Sequence, residues 1–186
     1  MPTKPLCCPA RRRLLAGAAG IALNTLPRGR AQAATAGVRT LAFENLHTGE
    51  TLRTVYFEQG RYLAQPLLDI QHVLRDFRSG QTHAIDLGLL DLLSAMCERL
   101  GSPRTIQLIS GYRSPATNAA LHARSGQVSS TSLHMQGMAA DIRIPGCSLP
   151  QLRALAVSLR GGGVGYYPRS DFLHVDVGRP RQWTGS

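Results

Sequence analysis

From residue 38 onward, apolar and polar positions alternate in two distinct periods along this chain. Val38 to Leu46 and Thr51 to Phe57 repeat every two residues, as half-buried strands do, and His47-Thr48-Gly49-Glu50 between them predicts a hairpin turn. After Pro66 the period lengthens: Ile70, Val73, Leu74 and Phe77 fall on one helical face, with Gly80 as the stop. A second helix is expected from Ile85 to Leu100, with Leu89, Leu92, Leu93 and Met96 inside and Gly101 and Pro103 ending it. Thr105 to Ile109 reads as a strand. Ser114 then caps a helix that has Pro115 at its first position and ends near Gly126. Gln127 to Ser132 is polar loop and Met138 to Ile144 a strand. Ser148-Leu149-Pro150-Gln151 has capping-box spacing and opens a helix with Leu152, Leu155, Ala156 and Leu159 on one face, closed by Gly161-Gly162-Gly163. Val164 to Tyr167 and Phe172 to Val177 are the last strands.

This order lacks the regular strand–helix alternation of a doubly wound sheet. It predicts an α+β fold: a small, mostly antiparallel sheet with flanking helices. Strand periodicity then sorts the polar residues. Asp141 shares a strand face with Ala139 and Arg143, opposite Ala140, Ile142 and Ile144. His174 shares a face with Phe172 and Asp176, opposite Leu173, Val175 and Val177. If the two strands are neighbours, Asp141 and His174 open into one cleft, and His134, in the loop before Gly137, can close over it. Two imidazoles and one carboxylate with a fourth position open are the ligand set of a catalytic zinc; a structural zinc takes four protein ligands. His47, His72, His83 and His122 have no such company and read as surface or hydrogen-bonded side chains.

Charge and composition narrow this picture. The chain has 186 residues and a formal charge of +10, but six of its 21 basic residues lie in residues 1–33, which contain no acid. The rest carries 15 arginines against 11 acids, a balance of +4, with no basic stripe or aromatic platform for nucleic acid. Residues 1–33 read as a cleavable export signal: basic residues, an apolar run from Leu14 to Leu26 too short to span a bilayer, and Ala31-Gln32-Ala33 as cleavage site. Arg11-Arg12-Arg13-Leu14-Leu15 resembles the twin-arginine pattern. Cys7 and Cys8 leave with the signal. Cys97 and Cys147 stay, either as a disulfide or as two thiols. Residues 34–186 then form one domain.

SGYRSPATN, SLHMQGMAADI and GGVGYYPRSDFLHVDVG resemble the murein endopeptidase K family, over roughly residues 40–183. That family belongs to the zinc D-alanyl-D-alanine carboxypeptidase group, which shares its metal-site fold with lysostaphin-type peptidases and hedgehog. The resemblance implies a periplasmic zinc peptidase that cuts the peptide cross-links of peptidoglycan, including meso-diaminopimelate 3-3 links; a monomer is expected. It implies zinc on His134, Asp141 and His174. Relatives often place an acid three residues before the last ligand. Asp171 keeps that spacing and is the first candidate for proton transfer; Asp176, on the face of His174, is the second, or a group that orients an imidazole. At the position matching Arg113 the family holds a substrate carboxylate or oxyanion, a local ion pair being the alternative. Many relatives in the wider group carry His-x-His at the last ligand. Phe172 stands at the first of those positions here.

Other readings stay open. A D,D- or L,D-carboxypeptidase would use the same ligands. So would a non-catalytic, zinc-stabilised peptidoglycan-binding module. A cysteine peptidase would use Cys147, ahead of a helix N-terminus, with His174 as base. Ser132 is read as a brace for the ligand loop. Tyr112, Tyr166 and Tyr167 are read as packing at strand ends or as cleft lining.

Overall fold

The computed structural model describes residues 37–101, 104–125 and 128–185. The export segment 1–33, the Pro103 stop and the Gly126–Gln127 helix end lie outside them. The strands are β1 (Arg39–Asn45), β2 (Thr51–Glu58), β3 (Arg61–Tyr62), β4 (Thr105–Ser110), β5 (Ala139–Arg143), β6 (Gly163–Tyr167), β7 (Phe172–Asp176) and β8 (Arg181–Thr184). The helices are α1 (Ala64–Val73), α2 (Leu87–Arg99), α3 (Pro115–Ser125) and α4 (Leu149–Leu159), with a 3-10 turn at Leu133–Gln136.

The strands form one sheet in the order β3-β2-β1-β4-β5-β7-β6-β8. All pairs are antiparallel except β1 with β4 and β6 with β8. The α+β class is therefore as expected, with a sheet of eight strands. Two short ones, β3 and β8, extend it beyond the predicted set. One sheet face carries Leu41, Phe43, Ile106, Leu108, Ala140, Ile142, Leu173 and Val175, all buried. They join Leu89, Leu90, Leu93 and Met96 of α2 and Leu152 and Ala156 of α4 in one core. Burying these side chains is the main favourable term of the fold, about 1.5–3 kcal/mol for each large aliphatic one.

Local chemistry sets the helix limits. Asp86 caps α2, its carboxylate accepting Gly88 N–H at 2.8 Å, so the helix starts after the expected Ile85. Gln151 reaches back to accept Ser148 N–H at 3.1 Å, completing the predicted capping box of α4. α1 ends at Val73, earlier than its apolar period suggests. Phe77 lies beyond the helix and stacks on His47, with ring centroids 3.8 Å apart. The turn that takes over is held by the buried Asp76 carboxylate, which accepts Arg78 N–H and Ser114 N–H at 3.0 Å each. Among the described residues no helix is long and apolar enough to cross a membrane.

Candidate metal centre

The sheet order brings two of the three candidate ligands side by side. β5 and β7 are antiparallel neighbours, and Asp141 is registered directly against His174. The row continues across the sheet: Ser110 opposite Asp141 on one side, and Gly165 opposite His174, then Trp183 opposite Gly165, on the other. His134 arrives from the 3-10 turn. Ser132 caps that turn, its hydroxyl accepting His134 N–H at 3.4 Å. Gly137 closes it in the left-handed region (φ 66°), and a Cβ there would collide with the Ala84 carbonyl. Only glycine turns the chain so sharply from His134 into β5.

All three side chains are buried. His174 Nδ1 lies 2.9 Å from Asp141 Oδ1 and 3.2 Å from His134 Nε2, which is itself 3.3 Å from Asp141 Oδ1. The outer nitrogens fix the tautomers. His134 Nδ1 faces the Gly111 carbonyl at 2.7 Å, and a carbonyl only accepts, so Nδ1 carries the proton and Nε2 points inward as a lone pair. His174 Nε2 donates to Asp176 Oδ2 at 3.0 Å, which turns its Nδ1 lone pair inward too. Two nitrogen lone pairs and a carboxylate oxygen therefore converge on one point. Three acceptors without a donor repel one another unless a cation sits among them. In the metal-free protein that cation is a proton on His174. Burial opposes the charge, but the carboxylates of Asp141 and Asp176 outweigh burial and hold this imidazole up at about 9. Burial drives His134 the other way and keeps it neutral. The donor atoms, all within 4.8 Å of one another, suit a borderline divalent ion with nitrogen and oxygen ligands.

Each ligand is held from behind. Asp176 has no exposure, and its carboxylate accepts from five groups: Gly163 N–H (3.0 Å), Gly178 N–H (2.8 Å), Arg181 Nη1 (3.0 Å), Arg181 Nη2 (2.7 Å) and His174. Burial works against its charge, but His174, Arg181 and the two backbone amides keep its pKa far below the ordinary carboxylate value. Arg113 Nη2 donates to Asp141 Oδ2 and to Ser110 Oγ, both at 3.2 Å. Asp141 is likewise held ionised against the cost of burial by the imidazoles of His134 and His174 beside it.

The three candidate ligands line an open cavity of about 470 Å³ together with Arg113, Ser132, Tyr167, Phe172, Arg181 and Trp183. The other sequence candidates stand elsewhere. Asp171 sits in a left-handed turn (φ 51°), with its side chain two-thirds exposed and paired to Arg143 at 3.2 Å. It lines a separate groove that also contains Cys147. Among the described residues Asp141 is the one acid that lines the cavity. Cys97 and Cys147 are free thiols, and burial pushes both above the ordinary thiol range. Cys147 lies in the other groove, away from His174, so the cysteine-peptidase arrangement is absent. His47, His72, His83 and His122 lie outside the cavity. Sequence reading missed Trp183 and Arg181. The segment Arg181–Thr184 has one apolar residue and follows Gly178 and Pro180, so it offers no two-residue period to read.

Comparison with known proteins is extensive. A family profile described as "Peptidoglycan L,D-endopeptidase MepK" matches residues 33–183. The peptidoglycan L,D-endopeptidase MepK of Escherichia coli is 43% identical over 177 residues, covering 94% of this chain and 97% of that protein. The probable peptidoglycan L,D-endopeptidase MepK of Haemophilus influenzae is 37% identical over 177 residues, covering 94% of this chain and 95% of that protein. No solved structure gives a significant match.

Proposed function

This chain belongs to the peptidoglycan L,D-endopeptidase MepK family, and from that premise we propose that it is a zinc-dependent endopeptidase that hydrolyses meso-diaminopimelate 3-3 cross-links of peptidoglycan. The observation that carries the metal half of this reading is the convergence of His134 Nε2, His174 Nδ1 and Asp141 Oδ1, with both imidazole protons turned outward. His134, Asp141 and His174 would hold a zinc ion there, which would supply Lewis-acid polarisation of the scissile carbonyl and a water with a pKa of about 7.

The protein's own side chains do the rest. Asp176 fixes the tautomer and angle of His174 and strengthens it as a donor; Arg181 and two backbone amides keep Asp176 ionised for that task. Arg113 occupies the second oxygen of Asp141, leaving the first directed at the imidazoles. It also lines the cavity, so its charge helps to draw in the carboxylates of stem peptides. Peptidoglycan lies outside the cytoplasmic membrane, which places the working enzyme there. We assign residues 1–33 to export by the twin-arginine route, and the domain of residues 34–186 to the periplasm as a monomer.

Three tests belong to this reading. Separately purified 3-3 and 4-3 cross-linked muropeptide dimers, offered with zinc, should be distinguished by mass of products. The 3-3 dimer should become monomers. Loss of a terminal residue alone would make the enzyme a carboxypeptidase. Zinc affinity should depend on pH because zinc must displace the proton held on His174. Affinity is expected to rise roughly tenfold per pH unit between about 6 and 8, the slope of one released proton, in a chelator-competition titration. A flat profile would contradict the proton assignment. The same group makes the metal-free fold pH-sensitive. Its folded pKa of about 9 lies above the free-histidine value, so its contribution is complete below about 6.5 and lost as pH rises through 9.

Asp171 gives the third test. In the conformation it holds, its carboxylate serves Arg143 and not the cavity. Asp171→Asn should therefore leave kcat within about threefold, as for an exposed ion pair. A hundredfold fall in kcat would mean that the side chain turns past Ser170 into the cleft with substrate bound and takes the proton.

A further inference from the structure

The wall of the cavity on the β6–β8 side contains a hydroxyl that the reading above leaves without a task. We infer that Tyr167 donates its hydroxyl hydrogen to the scissile carbonyl oxygen, stabilising the charge that develops there, and that Trp183 is the residue that positions it. This inference rests on the proposed zinc endopeptidase function.

Gly165 lies between His174 and Trp183 in the cross-strand row. A Cβ at Gly165 would come within 2.6 Å of the indole ring, so the absent side chain is what lets Trp183 lean over β6. The indole thereby reaches the metal-binding imidazole, with its ring centroid 5.1 Å from that of His174. Its far side meets Tyr167: Trp183 Nε1 donates to the Tyr167 hydroxyl oxygen at 2.9 Å. An indole N–H can only donate. The phenol oxygen is therefore the acceptor in this bond, and its own hydrogen is left to point elsewhere. Tyr167 Oη has no acceptor among the hydrogen bonds of the described residues, and both Tyr167 and Trp183 line the cavity with the three ligands. The ring is fixed as well, stacked on Phe172 with centroids 4.5 Å apart and planes 15° apart. The Arg181 guanidinium lies over the indole, 4.9 Å from the ring centroid. The result is a hydroxyl whose oxygen is fixed on the wall of the cavity that holds the candidate metal ligands and whose hydrogen is free for a bound group.

A donor oriented in advance contributes most where charge develops during reaction, because no reorganisation is then needed. Arg113 also lines the cavity; its Nη2 is engaged by Asp141 and Ser110, whereas its buried Nε has no hydrogen-bond partner among the described residues.

The test compares wild type, Tyr167→Phe, Trp183→Phe and the double variant, each loaded with zinc. Tyr167→Phe should bind one zinc with unchanged affinity and lower kcat on cross-linked dimers about a hundredfold, with KM within about twofold. By calorimetry, its affinity for a phosphinate analogue of the cross-link, which carries a tetrahedral anionic centre, should fall by a similar factor. Affinity for the cleaved monomer should not change. Trp183→Phe keeps an aromatic ring but loses the N–H, and should lower kcat about tenfold alone and not at all on top of Tyr167→Phe. The inference is overturned if Tyr167→Phe keeps kcat within threefold, if phosphinate and product affinities fall together, or if the two losses multiply in the double variant. Failure of zinc-loaded wild type to cleave any dimer would overturn the proposed function itself, and this inference with it.

Discussion

Asp141→Asn is expected to yield a folded protein that neither retains zinc nor cleaves cross-links. The amide keeps the size of the carboxylate and its place opposite His174, but it removes the negative charge that balances a divalent ion between two neutral imidazoles. One of its two polar atoms becomes an NH2 group that must face either the imidazole lone pairs or Arg113. Losing the Lewis acid removes several kcal/mol of transition-state stabilisation, so the rate should fall on the order of 10³-fold or more. The substitution also leaves Arg113 buried without its counter-ion, a defect that costs about 3–5 kcal/mol. A domain of this size holds roughly 5–15 kcal/mol of stability, so it still folds, with a lowered melting temperature. Bound zinc by atomic absorption, thermal unfolding and dimer turnover read the three consequences separately. One zinc per chain with turnover near wild type would remove Asp141 from the ligand set.

The second large effect is expected at Asp176. Truncation to Ala strips five donors of their acceptor at a fully buried carboxylate and leaves the half-exposed Arg181 guanidinium with only the Arg179 carbonyl and the Trp183 ring. The cost to the metal-free fold should be about 3–5 kcal/mol in chemical denaturation. In the holoprotein, zinc affinity should fall about 10–100-fold, because His174 loses the group that fixes its tautomer. Asp176→Asn separates orientation from proton transfer. If Asp176 orients His174, affinity drops and kcat at saturating zinc recovers most of its value. If Asp176 moves the proton, affinity holds and kcat collapses.

How far these residues were legible in the sequence depends on the physics behind each. The faces of Asp141 and His174 could be read because a strand alternates its side chains strictly, and Ile142, Leu173 and Val175 mark the core side. The neighbourhood could not, because β5 pairs with β7 across the intervening α4 and β6, and no local pattern encodes that order. Phe77 misled because it continues the apolar period of α1, whereas Asp76 draws the chain into a turn and His47 takes the ring. Asp171 has the expected spacing from His174, but its left-handed backbone turns the carboxylate toward Arg143. β8 was missed because an edge strand that is mostly exposed shows no buried face, yet it delivers Arg181 and Trp183 to the site. Spacing identifies which residues share a face. It says nothing about which of two faces a turn residue will choose.

Cleavage of peptidoglycan cross-links at this site should require its metal. The most direct measurement is digestion of purified 3-3 cross-linked muropeptide dimers by residues 34–186. Zinc-loaded, chelated and zinc-restored samples would be run side by side, with products weighed by mass spectrometry. Dimers should become monomers in the first and third samples and stay intact in the second. Intact dimers throughout, with one zinc confirmed per chain, would contradict the account and leave a metal-stabilised binding module in its place.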